Sequence, residues 1–352
     1  MHMADALISP AVGGAMWAAA AGLTAYSARQ LKKEMDERKI PLMGVLGALV
    51  FAAQMINFTI PGTGSSGHFG GGLLLAVLLG PHAAFLTMAS IITIQALFFA
   101  DGGLLALGCN IFNMGFFPCF IAFPFIYKKI AANSLGHKRI IAAAMVASII
   151  GFQLGAAGAV VETVFSGISE LPFRTFVLLM LPVHLAIGLV EGFVTASLVG
   201  FVRKMRPEVL EMATGPSRNK EFSIRPLLIT LVVVAVFTGG LLSWFASANP
   251  DGLEWSIARI YGNKELENPG SGIHSWLSGL QEKLAILPGY DFRKQKDEQS
   301  TDSEGKKDGK ADAWPSVSAG TSISGLLGGA MSLALAGLIG FGIKIFQKRK
   351  PK

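Results

Sequence analysis

The residues best equipped for chemistry stand at the head of the sequence, which begins Met1-His2. An α-amine followed by histidine is a ready-made chelator. The amine and the deprotonated amide nitrogen of His2 close a five-membered ring on a metal, and that amide with the His2 Nδ1 closes a six-membered one. Three nitrogens then lie nearly in one plane with one in-plane position open, an arrangement suited to Ni(II) or Cu(II). Met1 is expected to be retained, because methionine aminopeptidases need a small second residue. No Lys or Arg precedes the first apolar run, so the charged start of a signal peptide is missing. A fourth donor has to come from the same face. His68 closes a glycine-rich loop, Thr59-Ile60-Pro61-Gly62-Thr63-Gly64-Ser65-Ser66-Gly67-His68-Phe69, whose glycines let the backbone wrap closely around a site. A plainer reading stands beside this one, with His2 an ordinary terminal histidine and His68 a polar residue at a helix start. Gly62-x-Gly64-x-x-Gly67 has the form of a dinucleotide fingerprint but lacks the strand and βαβ context that motif requires.

Other polar residues lie within or at the ends of apolar runs. His184 and Glu191 are seven residues apart and share one helix face. Ionisable groups in a membrane span mark transport pathways or lock helices together as buried polar contacts, and both readings remain open here. Asn57, Ser66, Asn110 and Asn113 stand where they can orient a metal ligand, and the asparagines can equally cap helices. Cys109 and Cys119 fit small buried residues better than a disulfide framework or zinc site. No phosphate-binding loop, His-Glu-x-x-His or Gly-x-Ser-x-Gly occurs, so neither ATP hydrolysis nor another enzymatic activity is expected of this chain.

These donors need elements that carry them to one place. Of 352 residues, 51% are apolar and only 15% charged, against about 25% in soluble proteins. Apolar runs recur at 10–28, 41–58, 70–80, 82–99, 108–127, 139–163, 174–202, 226–246 and 323–345. The expected fold class is therefore all-α: a polytopic membrane helical bundle of about seven membrane segments, with two more in a C-terminal unit. Stretch 70–99 reads either as one long helix or as two segments broken at Gly80-Pro81-His82. Two segments give nine crossings and gather the clusters Lys32-Lys33, Lys128-Lys129, Lys138-Arg139, Arg203-Lys204 and Lys348-Arg349-Lys350 on the inner side, as the positive-inside rule requires. The short piece 70–80 need not cross fully, since protein can cover irregular backbone. The N-terminus then lies outside with loops 59–69, 101–107 and 164–173, and the C-terminus inside a bacterial-type cytoplasmic membrane. The net charge of +7 is concentrated in those inner clusters rather than on an aromatic-rich basic face, so lipid and not nucleic acid is the expected surrounding. The chain divides into a unit 1–203, a cytoplasmic linker 204–225, a unit 226–345 whose outer segment contains a polar, disordered tether at 293–313, and a basic tail 346–352.

Several motifs resemble the CbiM/NikM family of substrate-binding components of energy-coupling-factor transporters for cobalt and nickel. They are Met1-His2, Asn57-Phe58-Thr59-Ile60-Pro61-Gly62, Ser66-Gly67-His68, Leu79-Gly80-Pro81, Gln95 to Gly103, Leu107 to Met114, and Pro182 to Glu191. The likeness covers about residues 1–203. Asn249-Pro250-Asp251-Gly252-Leu253-Glu254 resembles the PDGLE segment of the small companion component, CbiN or NikN, fused here to the first unit over about 226–345. The resemblance implies a metal held by the amine of Met1, the amide and imidazole of His2, and the imidazole of His68. It also implies Ni(II) or Co(II) as transported substrate, no organic cofactor, and a coupling subunit like CbiQ or NikQ with two ATPases like CbiO or NikO on other chains. Copper is set aside only by this likeness. Two positions depart from the family pattern, Met3 and Cys109, and neither is a ligand. Outside the transport class, His184 and Glu191 would suit an intramembrane metalloenzyme, and the polar tether a membrane scaffold.

Overall fold

The computed structural model describes residues 2–33, 36–131, 136–169, 171–214, 222–262, 272–293 and 314–348. Among the described residues the architecture is a helical bundle with one two-stranded hairpin. The first unit contains α1 (Pro10–Lys33), α2 (Lys39–Gln54), β1 (Asn57–Ile60), β2 (Ser65–His68), α3 (Gly72–Leu79), α4 (Pro81–Phe99), α5 (Leu107–Ala131), α6 (His137–Ser166) and α7 (Phe173–Met205). Then come α8 (Pro207–Thr214), α9 (Arg225–Gly240), α10 (Gly252–Tyr261), α11 (Ile273–Leu284) and α12 (Ala319–Lys348). Among the described residues, five helices, α4 to α7 and most of α12, are long and apolar enough to cross a membrane, and α2 and α9 are shorter apolar helices.

Gly80-Pro81 breaks stretch 70–99 into α3 and α4. Proline lacks the N–H that would continue α3 but suits the first turn of α4. At eight residues α3 spans about 12 Å, far short of a bilayer. Its first residue packs on Met114 and Pro118 midway along α5, and Gly80 beyond its end meets Ala213 of α8. A β-hairpin precedes α3. Sequence reading treats 59–69 as a loop. It is an antiparallel ladder pairing Asn57 with His68 and Ile60 with Ser65, turned at Pro61–Gly64 with Gly62 and Gly64 at φ of +77° and +78°. Likewise 204–225 is not wholly a linker, because α8 forms within it and packs on α3. The tether at 293–313 lies beyond the described residues from 294 onward.

Pro118 and Pro124 sit within α5, where Phe112–Tyr127 takes the wider π-helical register. Prolines cannot donate to an α-helical ladder, and such widened turns accommodate the missing bonds. The longest helix pair, α6 and α7, crosses where Gly188 and Gly192 bring α7 against the backbone of Ile149 and Met145. Helices in lipid associate through such close packing rather than through water exclusion. Outward faces are apolar: Phe165 is 79% exposed, Phe193 69% and Leu338 65%. Cys109 and Cys119 are buried and unbridged.

The second unit docks through α9 and α12 on α2. Its segment between these helices folds back over one end of the first unit. At the opposite end Lys344 pairs with Glu37 at 2.8 Å.

Candidate metal centre

The extended backbone after His2 is fixed before any ligand is considered. Met3 N donates to Asn110 Oδ1 at 2.8 Å, and Met3 O accepts from Asn110 Nδ2 at 3.2 Å and from Gly103 N at 2.9 Å. Buried Asp5 then accepts from the N–H groups of Leu105 and Ala106 at 2.8 and 3.0 Å, anchoring the turn that leads into α5. Its Oδ1 lies so close to Gly103 that a Cβ there would overlap it. Burial pushes the Asp5 carboxyl above its ordinary value, against those backbone donors.

His2 is thereby placed between α4 and the loop that follows it, its side chain 7% exposed. Nε2 lies 3.1 Å from Gln95 Oε1. Gln95 Nε2 donates to Gln54 Oε1 at 2.8 Å, and Gln54 Nε2 to Gly70 O at 2.7 Å. Because the Gln95 amide is spent as a donor on Gln54, its oxygen must accept, and the proton belongs on His2 Nε2. A neutral ring therefore presents its lone pair on Nδ1, the nitrogen the chelate needs. Nδ1 is 3.3 Å from Asp101 Oδ1, where the carboxylate favours positive charge, and Asp101 also accepts a 2.5 Å bond from Tyr290 Oη.

His68 ends β2 with its ring stacked on that of His2, centroids 5.3 Å apart and planes at 18°. Its Nδ1 lies 3.1 Å from Phe69 O. A carbonyl only accepts, so Nδ1 carries the proton and a neutral His68 presents its lone pair on Nε2. Burial lowers the ionisation of both imidazoles, that of His68 well below the ordinary value, with Asp101 opposing the shift at His2. Both rings are thus held in the neutral form a metal requires. Among the described residues no group of three or more His, Cys, Asp and Glu side chains is arranged to hold a metal. Met1 lies outside the described residues.

The second unit closes over these rings. Ser66 N and Oγ donate to Pro250 O and Asn249 O, both at 2.7 Å, Ser247 N donates to Asn57 O at 2.7 Å, and Trp255 Nε1 donates to Thr63 O at 3.0 Å. Asp251 caps α10 through bonds from Leu253 N and Glu254 N, with the reciprocal bond from its own N–H to Glu254. Burial works against its charge, yet its carboxyl stays below the ordinary range, the Glu254 N–H and the His68 ring being among the groups that hold the anion. His274 Nε2 donates to Ile8 O at 2.9 Å, and Gln281 Nε2 to Ala96 O and Gly102 O at 2.9 and 2.7 Å.

The structure thus brings His2, His68 and Asn110 together. It assigns other partners to the remaining residues singled out above. Asn113 Nδ2 donates to Glu162 at 2.7 Å and also lies 3.9 Å from Met3 Sδ, beside His2. Ser66 binds the 249–250 segment. Asn57 faces His68 across the ladder by its backbone. His184 and Glu191 lie deeper: Glu191 accepts from Gly70 N at 2.9 Å and Gly71 N at 3.0 Å, capping the start of α3. Gln54, Gln95, Asp101 and Asp251 are the residues that sequence reasoning does not place at the site. Two glutamines inside apolar runs were a usable signal.

Fold and site together define a polytopic helical membrane protein with a buried, nitrogen-rich pocket at one end. The chain belongs to the CbiM family, the cobalt uptake substrate-specific transmembrane region, whose pattern matches residues 2–209, and a PDGLE domain matches 225–345. A putative fused nickel transport protein NikMN of Archaeoglobus fulgidus is 37% identical over 222 residues, covering 62% of this chain and 70% of the relative. A probable fused nickel transport protein LarMN of Lactiplantibacillus plantarum is 31% identical, covering 73% and 78%. The crystal structure of a truncated transition metal transporter is 28% identical with a TM-score of 0.52, covering 58% of this chain and 99% of that one.

Proposed function

We propose that this chain is the substrate-capture component of an energy-coupling-factor importer, taking Ni(II) or Co(II) at the outer face of a cytoplasmic membrane. The metal would be held by the Met1 amine, the His2 amide and Nδ1, and His68 Nε2. The observation that carries the reading is the paired orientation of two stacked, buried imidazoles. Gln95 fixes one ring and Phe69 O the other, so each is set to offer the nitrogen a planar chelate calls for. Nitrogen-only planar ligation favours nickel over cobalt, and the fused nickel transport relatives agree. Asp101 and Asp251 supply negative charge beside the rings. A coupling subunit and two ATPases on other chains would drive release inward, and the second unit would assist loading.

Calorimetric titration of the full chain with Ni(II) and with Co(II) tests the reading. His2→Ala or His68→Ala should abolish tight binding while the protein remains folded, and an N-terminal extension should do the same by removing the free amine. Normal binding by a His2→Ala/His68→Ala double variant would reject the assignment.

A further inference from the structure

Behind His68 lies a second cavity of ≈ 30 Å³, separate from the space around His2. Its wall is mainly apolar, but His68, Ser148, His184, Glu191 and Asp251 reach it. Two of these carry fully buried polar atoms without a hydrogen-bond partner among the described residues, Nε2 of His184 and Oγ of Ser148. A buried polar atom left unpaired is costly and calls for a ligand.

The orientation of His184 narrows the kind of ligand. Its Nδ1 is 2.8 Å from Met180 O, and since a carbonyl only accepts, the proton sits on Nδ1. A neutral ring then presents the Nε2 lone pair. Metal-ligating histidines are held in this way, one N–H fixed on a backbone carbonyl and the other nitrogen offered. His68, at the boundary between the cavity and the stacked rings, is fixed by the same device on Phe69 O. Glu191 adds a carboxyl group that a bound cation would hold ionised. It is 2% exposed and bound only by the N–H groups of Gly70 and Gly71, and no cationic side chain pairs with it among the described residues. The volume admits about one water or one dehydrated ion.

We propose that this cavity is a second binding site for the transported divalent transition-metal cation, taken up after it leaves the outer nitrogens. His184 Nε2 is the ligand, Ser148 Oγ a neutral donor, and the Glu191 carboxylate the balancing charge, with His68 bordering both stations. A dehydrated ion with nitrogen affinity enters. Mg(II), which gives up its water reluctantly, does not. The proposal rests on the metal-capture reading above.

Titration of the purified full chain with Co(II) chloride alone tests it. Two equivalents per chain are expected, the second weaker. In His184→Gln the weaker equivalent should lose more than about tenfold in affinity. Should that variant fail to fold, Ser148→Val, which places a methyl group in the cavity, should have the same effect. His2→Ala separates this proposal from the one it rests on, because it should remove the tight equivalent and leave the weaker. If the tight equivalent survives in His2→Ala, the outer assignment fails, while loss of the weaker one in His184→Gln still supports the inner site. A single equivalent in the wild type at saturating Co(II), unchanged in His184→Gln, overturns the inner site.

Discussion

At the residue scale, the metal chemistry depends on which nitrogen of each imidazole is protonated, and Gln95 decides this for His2. Gln95→Leu should weaken Ni(II) binding roughly 10- to 100-fold, as loss of an orienting partner does. It should also lower stability by about 1–3 kcal/mol, because Gln54 loses a buried bond. Calorimetry and thermal unfolding in detergent read the two effects. The rings also set a pH dependence. Burial holds both imidazoles below the ordinary value of about 6.5. Below that pH the unfolded chain gains protons that the folded chain refuses, so the stability present above about 6.5 is lost as pH falls toward the folded-state values. Thermal midpoints of metal-free protein should therefore decline from pH 7 to pH 5, and a His2→Gln/His68→Gln variant should decline less. A midpoint that rises on acidification contradicts the account. His2 and His68 were legible in the sequence because the chelate follows from residue type and position alone. Gln95 and Asp101 were not, since an amide or carboxylate near a helix end has many uses, and only the fold brings residues 93 and 99 positions away onto one ring.

At the element scale, what matters is that stretch 70–99, long enough to tempt a single-span reading, is two helices meeting at Gly80-Pro81, with a hairpin before them. The break was legible in Gly80-Pro81, where backbone chemistry is local. The hairpin was not, because a glycine-rich run shows which conformations are allowed but not which neighbour it pairs with. The partner of β2 includes Asn249 and Pro250, about 180 residues away. Gly71, at φ +79°, turns its N–H onto Glu191 where α3 begins. Gly103 plays the matching part in the other loop. Gly103→Ala should cost about 1–3 kcal/mol through overlap with Asp5, and it should weaken metal binding in the same variant because Gly103 N holds Met3 O. Unchanged affinity in a folded Gly103→Ala protein would show that the loop does not position the ligand segment.

At the scale of the whole molecule, the fused second unit reaches the hairpin that carries His68. Both units had clear sequence signatures, but the closing of one over the other's pocket had none, because contacts between distant segments leave no periodicity. Asp251→Asn tests this coupling without removing the α10 cap, since asparagine caps helices as well as aspartate does. Loss of one charge beside a divalent ion should weaken metal binding on the order of tenfold or more, with little change in thermal stability, as read by calorimetry and unfolding of the same preparation. The central claim, that the chain's own first nitrogens and His68 grip the metal, is tested most directly by anomalous diffraction from crystals of the untagged full chain grown with Ni(II). The account predicts that the strongest peak lies within bonding distance of His2 Nδ1, His68 Nε2 and the Met1 amine. The absence of any peak bonded to His2 and His68 would contradict it.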